Sequence, residues 1–377
     1  MTADHLAGLA LIDHHCHGLL TTELDRPGFE ALISEGGAPP AGSSNFDTPV
    51  GLAIRRYCAP VLDLPRHAGA EDYLSRRREL GPAEVNRRFL VASGTAEFLL
   101  DTGFRATGLT TPEQLASLAA PARGHEIVRL ESVAESLAAE GMDGPGFADH
   151  LIERLQQVVT ARSAVGVKTV AAYRVGLDLD PEPPDRPAIA RSARAWLRRG
   201  PGPEGWRLED AVLTRALWWA AVELGLPLQF HIGFGDADLR MYRADPTLLT
   251  DWLQRHRLPV LLLHCWPYHR QAGYLAAVYP HVHLDVGLTM HYVGPTRARA
   301  VLAETAELAP FGKLLYSSDA FGVAEFYHVG ALSFRHALGG LLAERVVGGE
   351  WAAEDATRIA GLIGRWNAAR VYRLMTG

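Results

Sequence analysis

Cysteine is scarce: there are three, Cys16, Cys58 and Cys265, in 377 residues. An odd number at wide spacing excludes a disulfide framework and leads us to expect a reducing, cytoplasmic compartment. Cys16 and Cys265 adjoin histidines, yet both read as small packing residues. Long apolar runs are missing as well. Residues 216–230 are broken by Glu223, so no stretch suits a membrane span. The first eight residues hold Asp4 and His5 and no basic-then-apolar pattern, so no secretory signal is expected. Excess basic charge is lacking too. A net charge of −6 with 21% charged residues leaves no nucleic-acid footprint. There is no internal repeat or low-complexity tract. The G-x-G-x-x-G at residues 200–205 follows a helical stretch and not a strand, which argues against a dinucleotide fold.

What is present is a 48% apolar chain in which short β-rich runs alternate with helical patterns. That alternation predicts βα units and a parallel sheet. Strands are expected at residues 10–15, 97–101, 126–130, 165–171, 227–231, 259–264, 282–286 and 313–317. Helices are expected at 83–92, 111–120, 147–159, 188–199, 208–224, 324–344 and 351–374. Eight strands favour a distorted (β/α)8 TIM barrel, read as one domain over 1–377 with an insertion at about 18–80. Within that insertion, residues 36–42 read as loop, while 48–62 and 72–80 have helical character.

The densest chemistry is Leu11-Ile12-Asp13-His14-His15-Cys16-His17. On a regular strand Asp13, His15 and His17 share one face, and His14 and Cys16 the other. An H-x-H pair at a strand end can present two imidazoles to one divalent ion. Barrel chemistry collects at the C-terminal ends of strands. His15, His17, Lys168, His231, His264 and Asp319 all fall in or just after such ends. Together they are the candidate metal ligands. Asp319 is also the candidate proton acceptor for a water whose pKa an ion has lowered. Lys168 has three readings: a carbamate bridging two ions, an anchor for a substrate carboxylate, or a buried ion pair. Arg174, Tyr173, Trp266 and His291 are candidate substrate contacts, as an anion clamp, an oxyanion donor, an apolar wall and a loop histidine. Glu131 and Asp285 could orient a histidine or pair with a cation.

The Asp13-x-His15-x-His17 start, the histidines ending strands five and six, and Asp319 resemble the amidohydrolase superfamily. The chain is similar to the amidohydrolase-related branch that includes the amidohydrolase-like half of fungal FluG-type proteins. Val165-Gly166-Val167-Lys168, Tyr173-Arg174-x-Gly176-Leu177, Phe230-His231-Ile232-Gly233, His264-Cys265-Trp266-Pro267 and Ser317-Ser318-Asp319-Ala320 carry the match. The resemblance implies one or two divalent ions, zinc, iron or manganese. His15, His17 and Asp319 map onto one position, His231 and His264 onto the second, and Lys168 where some members carry a bridging carbamate.

The expected activity is hydrolysis of an amide or related C–N bond in a small-molecule substrate. An oxygen-dependent di-iron monooxygenase and a metal-dependent decarboxylase are the alternatives, and a non-enzymatic binding module stands behind them. Neither nucleic acid nor membrane is expected as a partner, and a homo-oligomer is left open.

Overall fold

The computed structural model describes residues 6–104, 108–142 and 146–374. Asp4 and His5 lie outside them. Seven parallel strands run in sequence order: β1 Leu11–Cys16, β2 Thr95–Asp101, β3 Arg123–Arg129, β4 Gly166–Thr169, β5 Leu228–His231, β6 Val260–Leu263 and β7 Val282–Leu284. Each neighbouring pair is joined through helix, as a right-handed parallel sheet requires.

The eighth expected strand forms only in outline. Residues 314–317 lie between β7 and β1, where Leu315 N donates to Leu284 O and His14 N donates to Tyr316 O. A single bridge, Leu284 to Leu314, is all the ladder they make. Carboxylates bind the backbone around it. The Asp285 carboxylate, directly after β7, takes the N–H of His264 at 3.1 Å and of Gly287 at 2.7 Å. Likewise Ser318 N donates to the Asp13 carboxylate at 2.9 Å.

Apolar residues fall into an inner and an outer layer. Ile12, Leu99, Ile127, Leu261, Leu263 and Leu315 fill the barrel floor with Tyr372. Outside, helices pack on the sheet. Trp218 meets Phe230 and Trp252 edge-on at 4.9 and 5.4 Å. Such aromatic pairs add about 0.5–1.5 kcal/mol beyond the area they bury.

The insertion after β1 is packed and not a surface excursion. Phe29 stacks on Phe46 at 5.5 Å, and Phe46 meets Tyr73 at 6.2 Å. Residues 48–62 are helical as expected, through Pro49–Ala53, Ile54–Cys58 and Ala59–Leu62. The two helices expected at 72–80 and 83–92 run end to end over Ala70–Ser93 and are separated, as expected, at Gly81, whose backbone is not helical (φ 75°, ψ 158°). Tyr73 Oη donates to Glu325 at 2.8 Å, and Arg77 lies 3.3 Å from the same carboxylate. These bonds tie the insertion to the helix Glu325–Val347.

Several boundaries move. Glu131, expected to end strand three, sits in the first turn of the helix Leu130–Ala139. Tyr173 and Arg174 form a one-turn helix, Ala171–Arg174. His291, expected in a loop, is buried in the helix Gly287–Tyr292. The long terminal helix is divided into Ala353–Gly361, Leu362–Trp366 and Asn367–Val371.

Candidate metal centre

β1 delivers its histidines through a bulge. Asp13 pairs with Phe98 and Cys16 with Leu100, so three steps on β1 oppose two on β2. Strict alternation is therefore lost. His14 and His15, consecutive in sequence, both enter the barrel. His14 lies lower, with Nε2 3.0 Å from Asp285 and Nδ1 3.1 Å from Tyr372 Oη. Asp13, expected beside His15 and His17, instead accepts from Ser318 N, and burial pushes its carboxyl up to about 8. Cys16 and Cys265 are buried and unpaired, with their thiols donating to Leu99 O and Leu262 O.

Asp319 stands at the centre. Its Oδ1 lies 3.0 Å from His15 Nε2 and 3.4 Å from His17 Nε2, and its Oδ2 lies 3.5 Å from His264 Nε2. His231 follows, its ring centroid 4.9 Å from that of His264. Lys168 Nζ reaches His15 Nε2 at 2.9 Å and Asp101 Oδ2 at 3.3 Å. All six expected ligand residues are thus brought together at one rim. His15, His264 and Asp319 can each place a ligand atom within 4.8 Å of the others.

The backbone is bent to achieve this. His264 and Asp319 both have left-handed conformations, with φ of 64° and 50°. Non-glycine residues in that region cost on the order of 1–3 kcal/mol each and cluster where function needs them. Gly233 makes the neighbouring turn feasible: a Cβ there would lie 2.1 Å from Trp266 O.

The electrostatics favour ligands over charged side chains. Burial, helped by the Lys168 charge, lowers His15 to about 3. Burial also lowers His264, and burial beside His264 and Lys168 drives His231 well down. These imidazoles are neutral at physiological pH, with lone pairs available. Burial opposes ionisation of Asp319, but the surrounding imidazoles of His264, His15 and His17 hold it well below the carboxylate range. Burial lowers Lys168 against the opposing pull of Asp101.

The donor set fits a divalent cation. Asp319 Oδ1 and His231 Nε2 are buried without an aligned hydrogen-bond partner, although imidazoles surround them. Buried polar atoms of this kind are costly unless something satisfies them. Imidazoles and a carboxylate that converge on common points suit zinc, iron or manganese.

One supporting residue escaped the sequence reading and one was expected. Asp101, ending β2, binds Lys168 and accepts from Arg129 Nη2 at 2.6 Å and Nε at 3.1 Å. Its carbonyl faces His17 Nδ1 at 3.1 Å. Asp285 meets the expectation of a residue that orients a histidine, through His14 Nε2 and the backbone of His264.

The candidate substrate contacts divide. Tyr173 stands over His231, ring centroids 4.4 Å apart, and Trp266 packs beside Phe234 at 6.0 Å. Arg174 is directed toward Glu135, at 4.0 Å. His291 Nε2 lies 2.6 Å from Ser318 O and braces the residue before Asp319. Phe104 and Phe321, 4.3 Å apart, flank His17.

Fold and site together define a TIM-barrel-like α/β protein with a histidine–carboxylate cluster at the strand ends. The chain belongs to the Amidohydrolase family, whose model matches residues 12–374. It is 27% identical over 402 residues to Protein fluG of Emericella nidulans, an alignment covering 97% of this chain and 46% of that protein. The chain therefore spans about half the length of that curated relative. A crystal structure of a proposed metal-dependent hydrolase from Lactobacillus casei superposes with a TM-score of 0.85 at 29% identity, covering 98% of this chain and 97% of the other. Uronate isomerase from Thermotoga maritima shares the fold alone, with a TM-score of 0.65 at 12% identity and coverage of 98% and 96%. Among the described residues, no helix is long and apolar enough to cross a membrane.

Proposed function

We propose that the chain is a metal-dependent hydrolase of an amide or related C–N bond, acting as one catalytic unit on a small molecule in the cytoplasm. The observation that carries this reading is Asp319, whose two oxygens face different histidines: Oδ1 faces His15 and His17, and Oδ2 faces His264 beside His231. One position would be held by His15, His17 and Asp319, the second by His264, His231 and Asp319. A divalent ion in such a site supplies Lewis acidity, polarising a carbonyl and making water a nucleophile near neutral pH.

The remaining work falls to the chain. Asp319, ionised, accepts the proton of the attacking water and returns one to the departing nitrogen. Lys168, whose ammonium is disfavoured by burial and favoured by Asp101, would give up its proton to take up carbon dioxide as a carbamate. Tyr173, over His231, donates to the oxygen of the substrate carbonyl.

The reading is tested by metal analysis joined to an amide-hydrolysis screen. Bound divalent metal with cleavage that His15→Ala and Asp319→Ala abolish supports it. Metal-loaded protein that cleaves no amide contradicts it. A second reading, the di-iron monooxygenase, draws on the aromatic wall of Phe104 and Phe321 beside His17. Two irons per chain and consumption of oxygen would favour it. A decarboxylase would need Arg174 at the substrate, and Arg174 is directed toward Glu135.

A further inference from the structure

We propose that the barrel mouth is an aromatic-walled subsite that selects substrates carrying an uncharged aromatic ring next to the carbonyl that is attacked. This rests on the hydrolase reading and deepens it by naming a substrate class.

Six aromatic side chains stand beyond the C-terminal ends of six strands. They are Phe104 after β2, Tyr173 after β4, Phe234 after β5, Trp266 after β6, Tyr292 on the helix after β7, and Phe321 after the strand-eight segment. None of the six is buried. The phenylalanines show how unusual this is. All twelve lie within the described residues, and eight are buried. Of the other four, Phe104, Phe234 and Phe321 are at this rim and only Phe311 is elsewhere. Phe104 is the most open of them, at 42%. Apolar rings left uncovered in one place mark a surface that a ligand covers.

The rings form two walls at the ends of the histidine row. The row runs His17, His15, His264, His231, with successive ring centroids 5.0, 5.5 and 4.9 Å apart. At one end Phe104 and Phe321, 4.3 Å apart, meet His17 at 5.7 and 6.0 Å. At the other end Tyr173 stands over His231 at 4.4 Å, and Phe234 joins Trp266 to Tyr292 at 6.0 and 5.4 Å. A molecule that reacts at the row must therefore lie against one wall or between both. The described cations beside the row are committed elsewhere. Lys168 and Arg129 are bonded to Asp101, and Arg174 is directed toward Glu135. Arg129 also lies 5.7 Å from the Phe104 ring and so covers part of it. The open remainder of Phe104 offers a ring partner. Rings favour edge-to-face and offset contacts with other rings, which an alkyl group of the same size cannot reproduce.

The test uses three hydroxamates, which bind a metal ion through their two oxygens: phenylacetohydroxamate, cyclohexylacetohydroxamate and acetohydroxamate. On the metal-loaded wild type, calorimetry should show the phenyl compound binding about tenfold or more tighter than acetohydroxamate, from the apolar area it buries. It should bind about threefold or more tighter than the cyclohexyl compound, from ring-to-ring contact. Phe104→Ala should lower both ratios while retaining its metal content. Phe104→Leu, which keeps apolar bulk, should bring the phenyl-to-cyclohexyl ratio to about one. Equal affinities for all three compounds, tightest binding of the cyclohexyl compound, or ratios untouched in both variants overturn the inference. The N-methylamides of phenylacetic and acetic acid separate it from the hydrolase reading. If neither amide is cleaved while the phenyl hydroxamate keeps its Phe104-dependent advantage, the hydrolase reading falls and the aromatic subsite stands. If both amides are cleaved with equal kcat/KM, the subsite falls and the hydrolase reading stands.

Discussion

Lys168 Nζ lies 2.9 Å from His15 Nε2, on the side of the imidazole that faces Asp319. An amine and a metal ion cannot both take that nitrogen. Loading the site must therefore move Lys168 or convert its amine. Only two of the 37 lysines and arginines are lysine, Lys168 and Lys313, and the Lys313 amine donates to Ala276 O and Tyr279 O. Native mass spectrometry of metal-loaded protein in bicarbonate should show the added mass of one carbon dioxide, absent from Lys168→Met. Equal adducts in both would place the carbamate elsewhere.

Asp101 holds Lys168 from below and is itself held by Arg129. Asp101→Asn keeps the shape and removes the charge. It should lower turnover about 10–100-fold, the usual cost of losing an outer partner of a metal site. The pH profile should move with it, since Lys168 loses its counter-charge. A fall in stability without a shift of that profile would mark Asp101 as structural only.

Much of this was legible in the chain. The His15–His17 pair, the histidines ending β5 and β6, and Asp319 announce themselves because imidazoles at strand ends have few other reasons to gather. The outer partners do not. Asp101 before Thr102-Gly103 reads as an ordinary turn, and its match with Arg129 depends on the register of β2 against β3. The β1 bulge is likewise invisible, because alternation is the default and nothing local to Asp13–Cys16 signals the extra residue.

The His14–Asp285 pair is fully buried, 3.0 Å apart, and Asp285 also accepts from Ser317 Oγ at 2.7 Å. Asp285→Ala would strand His14 and release the backbone of His264. Its predicted cost is about 3–5 kcal/mol, the range for breaking a buried pair from one side. Urea denaturation measures it, and a loss within about 0.5 kcal/mol, as at ordinary surface sites, would refute the claim.

Glu131 is buried, and burial pushes it up to about 7 although Thr169 Oγ1 and Val170 N donate to it. A carboxyl raised on folding contributes stability below its unfolded pKa and loses it as pH rises through the folded value. From 4.5 to about 7 the loss is at most about 3 kcal/mol. Glu131→Gln should therefore be more stable than the wild type at pH 8 and close to it at pH 4. Denaturation at both values checks the sign; a difference that grows toward low pH would contradict it.

The central claim is that His15, His264 and Asp319 grip a cation together. Metal content of the purified protein, by inductively coupled plasma mass spectrometry, tests it most directly. The account predicts one or two divalent ions per wild-type chain, and loss of most of that metal in folded His264→Ala and Asp319→Ala. Wild-type protein that takes up no divalent metal, or variants that retain all of it, would contradict the account.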